Sequence, residues 1–329
     1  VKVLVTGAGA VLGQGIIRSL QSTGTTVDVV AVDPSPLSAG LYWTPRAHVI
    51  RMASDPAYLD RLGEVVRQEQ PDAILIGTDV ELRILAAGRE SLERDWKTRI
   101  VVSPLQTIDV ADDKYLTYRF LRENGFAVPE SCLPGGEEEL LDTVGYPLIV
   151  KPRVGARAVG VSLVRNRAEL RDALKVAENP VIQECVGSPD EEYTAGVVVF
   201  DGSARASIVM RRDLRDGNTY RAYVEEYPQL NEDVRALAES LPVFGPINFQ
   251  FRLGKDGRPR VFEINARFSG TTPLRAIAGF DEVTMVLRHI LNGEAVVQPA
   301  IRPMILLRHW AETVVHPGHL VSVPDADVS

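Results

Sequence analysis

Cysteine is almost absent: Cys132 and Cys185 are the two in 329 residues. A pair so placed builds no disulfide framework and offers no metal-ligand spacing. No apolar run approaches the ~18–20 residues of a membrane helix. The first apolar stretch, VKVLVTG, is cut at once by a glycine turn and reads as a strand, not a secretory signal. Surplus positive charge is missing too. Lys and Arg total 36 against 44 Asp and Glu, a formal charge of −8, which disfavours nucleic-acid binding through a broad basic surface. The histidines at 48, 289, 309, 316 and 319 are scattered, and no Ser-His-Asp or Cys-His arrangement stands out. What remains is an ordinary globular composition, 45% hydrophobic and 24% charged. The expectation is a soluble, cytoplasmic chain of more than one domain, with no nucleic-acid or membrane partner.

Residues 1–105 alternate strands and helices. VKVLVTG, VDVVAVD, HVIRM, DAILIGT and IVVSP read as strands, and VLGQGIIRSLQS, AYLDRLGEVVRQEQ and ELRILAAGRESLERD as helices. In AYLDRLGEVVRQEQ, Leu59, Leu62, Val65 and Val66 fall on one face. This order predicts a Rossmann-like parallel sheet with crossover helices. Four to five strands is short of the roughly six of a full dinucleotide fold. A second, small α+β unit is expected over 106–183, opening with the helix DDKYLTYRFLRENG, with Gly125 at its C′ position. A third, strand-rich α+β unit is expected over 184–329, closing on PMILLRHWAETVV as one more strand.

The chemistry concentrates in INFQFRLGKDGRPRVFEINARF, two extended runs joined by a glycine–aspartate hairpin turn. Alternation puts Phe249 and Phe251 on one face and Asn248 and Gln250 on the other. On the partner strand, Phe262 and Ile264 share a face opposite to Glu263 and Asn265. One face therefore gathers a carboxylate and three amides, an oxygen-donor set with one negative charge. Such a set suits Mg²⁺, which keeps positions for water and substrate phosphates. Arg267, just past the strand, would stabilise charge on a phosphoryl group.

With these residues in order, the chain resembles the ATP-grasp superfamily, and within it the ATP-binding half of the carbamoyl-phosphate synthase large chain and its short stand-alone relatives. The resemblance rests on DK in ADDKYLTYRFLRENGFAVP, then PLIVKPRVGARAVGV, QECV with EEY, NFQF and FEINARFSG. It implies an ATP-dependent ligase that activates a carboxylate as an acyl phosphate and joins it to an amine. By that likeness Lys114 and Lys151 contact ATP phosphates, and Gly155 and Gly160 bound a flap over them. Glu184, Cys185 and Val186 lie at the adenine edge, and Glu192 at the ribose. Gln250, Glu263 and Asn265 hold Mg²⁺ or Mn²⁺, and Arg267 with Lys151 serves catalysis. The partners implied are small carboxylates and amines, with a homodimer allowed. Two departures stand out: a glycine-poor phosphate loop, GARAVG, and Gly270 where the carbamoyl-phosphate synthase pattern has a second arginine. A carboxylate other than bicarbonate is therefore the expected substrate.

The opening glycines, Gly7, Gly9 and Gly13, with Asp33 twenty residues past Gly13, also fit a nicotinamide fingerprint. In the resembled family such a turn instead lines the acceptor side of the cleft. Acceptor-site candidates are Gly9, Asp79 and Glu81 at strand ends of the first unit, Arg211 and Thr219 in RRDLRDGNTYR, and Asn248, Ser269, Thr271 and Arg275 around the hairpin. Two other readings stay open: a non-catalytic ATP-binding protein of the same fold, and a nicotinamide oxidoreductase.

Overall fold

The computed structural model describes residues 1–22, 27–155, 159–188 and 191–323. The first sheet contains β1 (Lys2–Val5), β2 (Asp28–Asp33), β3 (Arg46–Val49), β4 (Ala73–Leu75) and β5 (Arg99–Val101) in the order β3-β2-β1-β4-β5. Every pairing in it is parallel. Its central strands are buried on both faces, as a parallel sheet covered by helices requires. The covering helices are α1 (Val11–Ser22), α2 (Tyr58–Glu69) and α3 (Leu82–Trp96). The apolar stripe of α2 faces in, with Leu62, Val65 and Val66 buried. α1 starts tight against β1: a Cβ on Gly13 would lie 2.2 Å from the Gly7 carbonyl oxygen.

The helix expected from residue 112 is α5 (Lys114–Glu123), and a short helix not assigned from the sequence, α4 (Leu105–Asp112), precedes it. Asp113 separates them in an extended conformation and caps α5, its Oδ1 accepting the N–H groups of Tyr115 and Leu116. The second sheet is antiparallel, with β6 (Ser131–Cys132), β7 (Leu148–Pro152), β8 (Ser162–Val164) and β9 (Pro180–Glu184) in the order β6-β9-β7-β8. Helices α6 (Glu137–Val144) and α7 (Arg167–Val176) cover one of its faces through Leu140, Leu170 and the strand residues Leu148, Val150 and Ile182. Alternation then turns Ile149, Lys151 and Gln183 to the opposite face.

The third sheet carries β10 (Glu192–Phe200), β11 (Ser203–Arg215), β12 (Asn218–Val224), β13 (Gly245–Leu253), β14 (Pro259–Asn265) and β15 (Met304–Leu307). Their order is β14-β13-β10-β11-β12-β15, and all pairings are antiparallel. The closing strand is much shorter than PMILLRHWAETVV suggested. Helix α8 (Pro228–Glu239) packs on the apolar face, where Leu230 and Val234 meet Tyr193, Ala195, Phe249 and Phe251. α9 (Thr272–Ile277) and α10 (Glu282–Asn292) follow β14.

Beneath the polar face of this sheet Arg275 of α9 is fully buried. Its Nη1 lies 3.1 Å from Glu282 Oε1, and its Nη2 donates to Thr194 Oγ1 and Asn248 Oδ1. Gly196 makes room for it, since a Cβ there would come within 2.3 Å of Arg275 Nη1. Burial lowers the guanidinium pKa, and Glu282 opposes that shift. Removing one partner of such a pair strands the other charge. Glu282→Ala should cost about 3–5 kcal/mol, and the double replacement Arg275→Met with Glu282→Leu distinctly less, measured by denaturant midpoints at unchanged slope. Equal losses in the single and double variants would contradict the pair's role.

Candidate active site

A cleft of about 280 Å³ opens between the second and third sheets. It brings together Lys114, Lys151, Gly155, Glu184, Cys185, Val186, Glu192, Gln250 and Glu263, which the sequence separates by up to 149 positions (263 minus 114). Gly160 lies at its rim between the lining residues Val159 and Val161, while residues 156–158 of the phosphate loop lie outside the described residues.

The β7 and β9 strands build one wall. Ser131 Oγ accepts from Gln183 Nε2 at 2.9 Å, which leaves Gln183 Oε1 to accept from Lys151 Nζ at 2.7 Å. Lys151 is buried, and its ammonium lies 5.4 Å from the centre of the Phe262 ring. Burial, with Lys114 nearby, lowers its pKa to about 7. No carboxylate pairs with either lysine among the described residues. Lys114 Nζ instead donates to the Gly155 carbonyl at 2.8 Å. Asp113 holds Arg153 (Nε to Oδ1 3.1 Å), so the start of α5 is tied to the loop after β7.

The opposite wall is one continuous polar network on the third sheet. Register places Asn248 opposite Asn265 and Gln250 opposite Glu263. Glu263 Oε1 accepts from Gln250 Nε2 at 3.1 Å and from Asn265 Nδ2 at 3.0 Å. Gln250 Oε1 accepts from Arg212 Nη2, whose other acceptor is Glu192 Oε1 at 2.7 Å. Glu192 Oε2 accepts from Arg252 Nη2 at 3.2 Å, so the buried Glu192 lies between two guanidinium groups. In the other direction Asn265 Oδ1 accepts from Arg267 Nη2 at 2.8 Å. Arg267 closes the network on Asp79 of the first unit, with Nε to Oδ1 at 2.6 Å.

A β-bulge between Gln250 and Phe251 corrects one expectation. It pairs Phe251 with Val261, so Phe262 drops out of the face it was to share with Ile264. Ile264 and Val261 are buried in the core, whereas Phe262 lines the cleft beside Glu263.

The remaining candidates divide. Arg211 points away from the cleft, stacking 3.7 Å from the Tyr223 ring centre and 3.6 Å from Asp213 Oδ1. Its neighbour Arg212 faces the cleft instead, with Thr219 Oγ1 accepting from it at 3.3 Å. Asn248 is buried under the sheet as Arg275's acceptor, and Ser269 and Thr271 are buried at the start of α9, their hydroxyls 2.6 Å apart. Glu81 is buried below the glycine turn, accepting from Thr6 Oγ1 at 2.6 Å and Tyr58 OH at 2.7 Å, and burial raises its pKa. Gly9 donates its N–H to Asp33 Oδ2 at 2.7 Å. Asp33 Oδ1 accepts from Ser38 Oγ at 2.6 Å and from the Ser35 N–H, so its own loop occupies one carboxylate oxygen and the glycine turn the other.

Arg212, Arg252, Gln183, Ile149 and Phe262 line the cleft without having been singled out in the sequence. For Arg252 the signal was available, because the alternation through Asn248 and Gln250 reaches it two residues later. Arg212 depended on the β10–β11 register, which places it opposite Glu192.

The RimK-like ATP-grasp domain family matches residues 111–241, and the family described as ATP-grasp in the biosynthetic pathway with Ter operon matches 183–313. The chain is 25% identical to the carbamoyl phosphate synthase large chain of Neisseria meningitidis over 310 aligned residues, covering 83% of this chain and 27% of that protein. It therefore spans about a quarter of the curated relative's length. Among solved structures, the N5-carboxyaminoimidazole synthetase of Staphylococcus aureus complexed with ADP has a TM-score of 0.72 at 19% identity, over 93% of this chain and 81% of that one. The L-amino acid ligase of Bacillus licheniformis has a TM-score of 0.65 at 19% identity, over 92% and 77%. These likenesses carry the fold, and the two family matches lie on the segments that build the cleft. Together the two ATP-grasp family models match residues 111–313, and these matches and the curated relatives support an ATP-grasp superfamily member.

Proposed function

We propose that this chain is an ATP-dependent carboxylate–amine ligase, organised as units 1–105, 106–183 and 184–329. The observation that carries the reading is a mismatch of charge inside the cleft. Lys114 and Lys151 form no ion pair with a carboxylate, and Glu263, which attracts Lys151 only across the cleft, forms none with a cation, among the described residues. A triphosphate accompanied by a divalent cation resolves both deficits at once.

Glu263 anchors the cation site, because Oε2 accepts no hydrogen bond among the described residues. Gln250 and Asn265 flank it, with amide oxygens now engaged by Arg212 and Arg267. Bound Mg²⁺ or Mn²⁺ would neutralise phosphate charge. The two lysines hold the phosphates, and the backbone at Glu184–Val186 faces the adenine edge beside Ile149 and Phe262. Glu192, fixed by Arg212 and Arg252, is positioned for the ribose hydroxyls. Arg267 stabilises charge on the transferred phosphoryl group.

In the reaction, a substrate carboxylate oxygen bonds to the γ-phosphorus as the bond to ADP breaks, giving an acyl phosphate. An amine then bonds to the acyl carbon, inorganic phosphate leaves, and the nitrogen loses a proton. The protein needs little acid–base machinery for the first step, which depends on alignment and charge neutralisation. The likeness to an L-amino acid ligase supports an amino-acid-like substrate. Neither alternative fits as well. Asp33, which a nicotinamide ribose would require, is held by Gly9 and Ser38, and the usual mark of a non-catalytic ATP binder, loss of the metal ligands, is absent at Gln250, Glu263 and Asn265.

Thermal stability measured with MgATP, MgADP, NADH and NADPH tests this directly. MgATP at about 100 times its dissociation constant should stabilise the protein by ~2.7 kcal/mol, and Glu263→Ala should remove most of that gain. A shift with NADPH alone would overturn the reading. Lys151 adds a second prediction. With a pKa of about 7, it is roughly one-tenth protonated at pH 8, and a triphosphate beside it restores the charged form. MgATP binding at pH 8 should therefore take up close to one proton, seen as a binding enthalpy that changes with the buffer's ionisation enthalpy. Lys151→Met should abolish this uptake. In the free protein the sign is the usual one for a depressed lysine. The unfolded chain binds the extra proton between about pH 7 and 10, so stability rises with pH there and the Met variant flattens the rise.

A further inference from the structure

We propose that Asp79 is a positioning residue for Arg267: a carboxylate of the first unit that orients a guanidinium of the third for phosphoryl transfer. The transfer itself rests on the ligase reading above; the clamp rests on separate geometry.

Asp79 precedes Arg267 by 188 positions and holds it along one edge. Arg267 Nε donates to Asp79 Oδ1 at 2.6 Å, and Nη2 donates to Oδ2 at 3.2 Å. Such a two-pronged pair fixes the plane of a guanidinium as well as its place. Nη2 also donates to Asn265 Oδ1 at 2.8 Å, and Nη1 to the Phe268 carbonyl at 3.0 Å. Four of the five N–H groups are thus engaged among the described residues, which leaves one on Nη1 to meet an anion.

The clamp has a fixed base. Asp79 opens a 3₁₀ turn (Asp79–Glu81) beyond β4, and Glu81 is buried at its end. Glu81 accepts from the hydroxyls of Thr6, Tyr58 and Thr78. The Gly77 N–H donates to Thr6 Oγ1 at 3.1 Å, and a Cβ on Gly77 would lie 2.1 Å from the Thr6 carbonyl oxygen. The turn is therefore tied to the end of β1 both before and after Asp79. Arg267 takes its position from the first unit.

Stability does not account for the pair. The Arg267 side chain is 10% exposed but that of Asp79 is 40% exposed, and an ion pair with one partner so open to water contributes little to folding. Nor is Asp79 free to bind an acceptor amine, because Arg267 takes both of its oxygens. Its surroundings are those of the phosphate site. Burial and Asp79 raise the pKa of the Asp112 carboxyl, against Lys114 and Arg83. One carboxyl thus feels both the clamp and a lysine that lines the cleft.

MgADP with fluoroaluminate sets an anion where the transferred phosphoryl group would lie, so calorimetry with and without the fluoride complex reads the clamp. In the wild type fluoroaluminate should tighten binding about a hundredfold. Asp79→Ala should lose about tenfold of that tightening, with the affinity for MgADP alone and the denaturant midpoint unchanged. Asp79→Glu, which keeps the charge, should regain part of the loss. In an Arg267→Met background Asp79→Ala should have no further effect, because it acts through the arginine. Full tightening in Asp79→Ala, or an equal loss with and without Arg267, would overturn the proposal. So would a wild type that binds MgADP without any tightening by fluoroaluminate. Weaker binding of MgADP alone by Asp79→Ala would also overturn it, by assigning the acid to the nucleotide. A wild type that does not bind MgADP at all would sink the ligase reading and the proposal together, whereas MgADP bound with equal tightening by every variant would sink the clamp alone.

Discussion

The antiparallel pairing of β13 with β14 is the constraint on which the site depends. Its register sets Gln250 opposite Glu263 and Asn248 opposite Asn265, collecting the polar groups on one face while Phe249 and Ile264 lock the other into the core. A slip of one residue would invert both faces at once. The core side opposes that slip with several buried aromatic and aliphatic side chains, so packing fixes the position of a carboxylate that contributes little to stability itself. Arg275 reinforces the arrangement from below by holding Asn248 and Thr194.

From Glu263 the polar contacts run both ways. Toward β10 and β11 they pass through Gln250, Arg212 and Glu192 to Arg252. Toward the first unit they pass through Asn265 and Arg267 to Asp79. A ligand that displaces one partner acts on a connected network, in which groups polarise and orient one another. Through the Asp79–Arg267 contact the parallel-sheet unit touches this network.

Much of this was legible in the sequence because it follows from short periods. The strand–helix alternation of the first unit, the α1 and α2 boundaries and the amide–carboxylate face of the hairpin all follow from local patterning. The failures came where a single residue shifts a register or caps an element. Phe262 moved to the cleft because a bulge interrupts the alternation that predicted its burial. Arg211 was favoured over Arg212 because the β10–β11 register cannot be read from β11 alone. The helix expected from residue 112 starts at Lys114, because Asp113 serves as its cap and as the partner of Arg153, and the short α4 before it went unassigned. Spacing alone left Asp33 open: it matches a ribose-binding acid, and only the structure shows its carboxylate shared between the Ser35–Ser38 turn and the Gly9 N–H.

On the proposed function, nucleotide binds between the second and third sheets and not at the glycine turn of the first. The most direct test is a crystal structure of this chain with MgADP. Such a structure should show the adenine edge at the Val186 backbone beside Phe262, the phosphates at Lys114 and Lys151, and the metal on Glu263. Nucleotide density at Gly7–Gly13 with Asp33 on a ribose, and an empty cleft at Glu263, would contradict it.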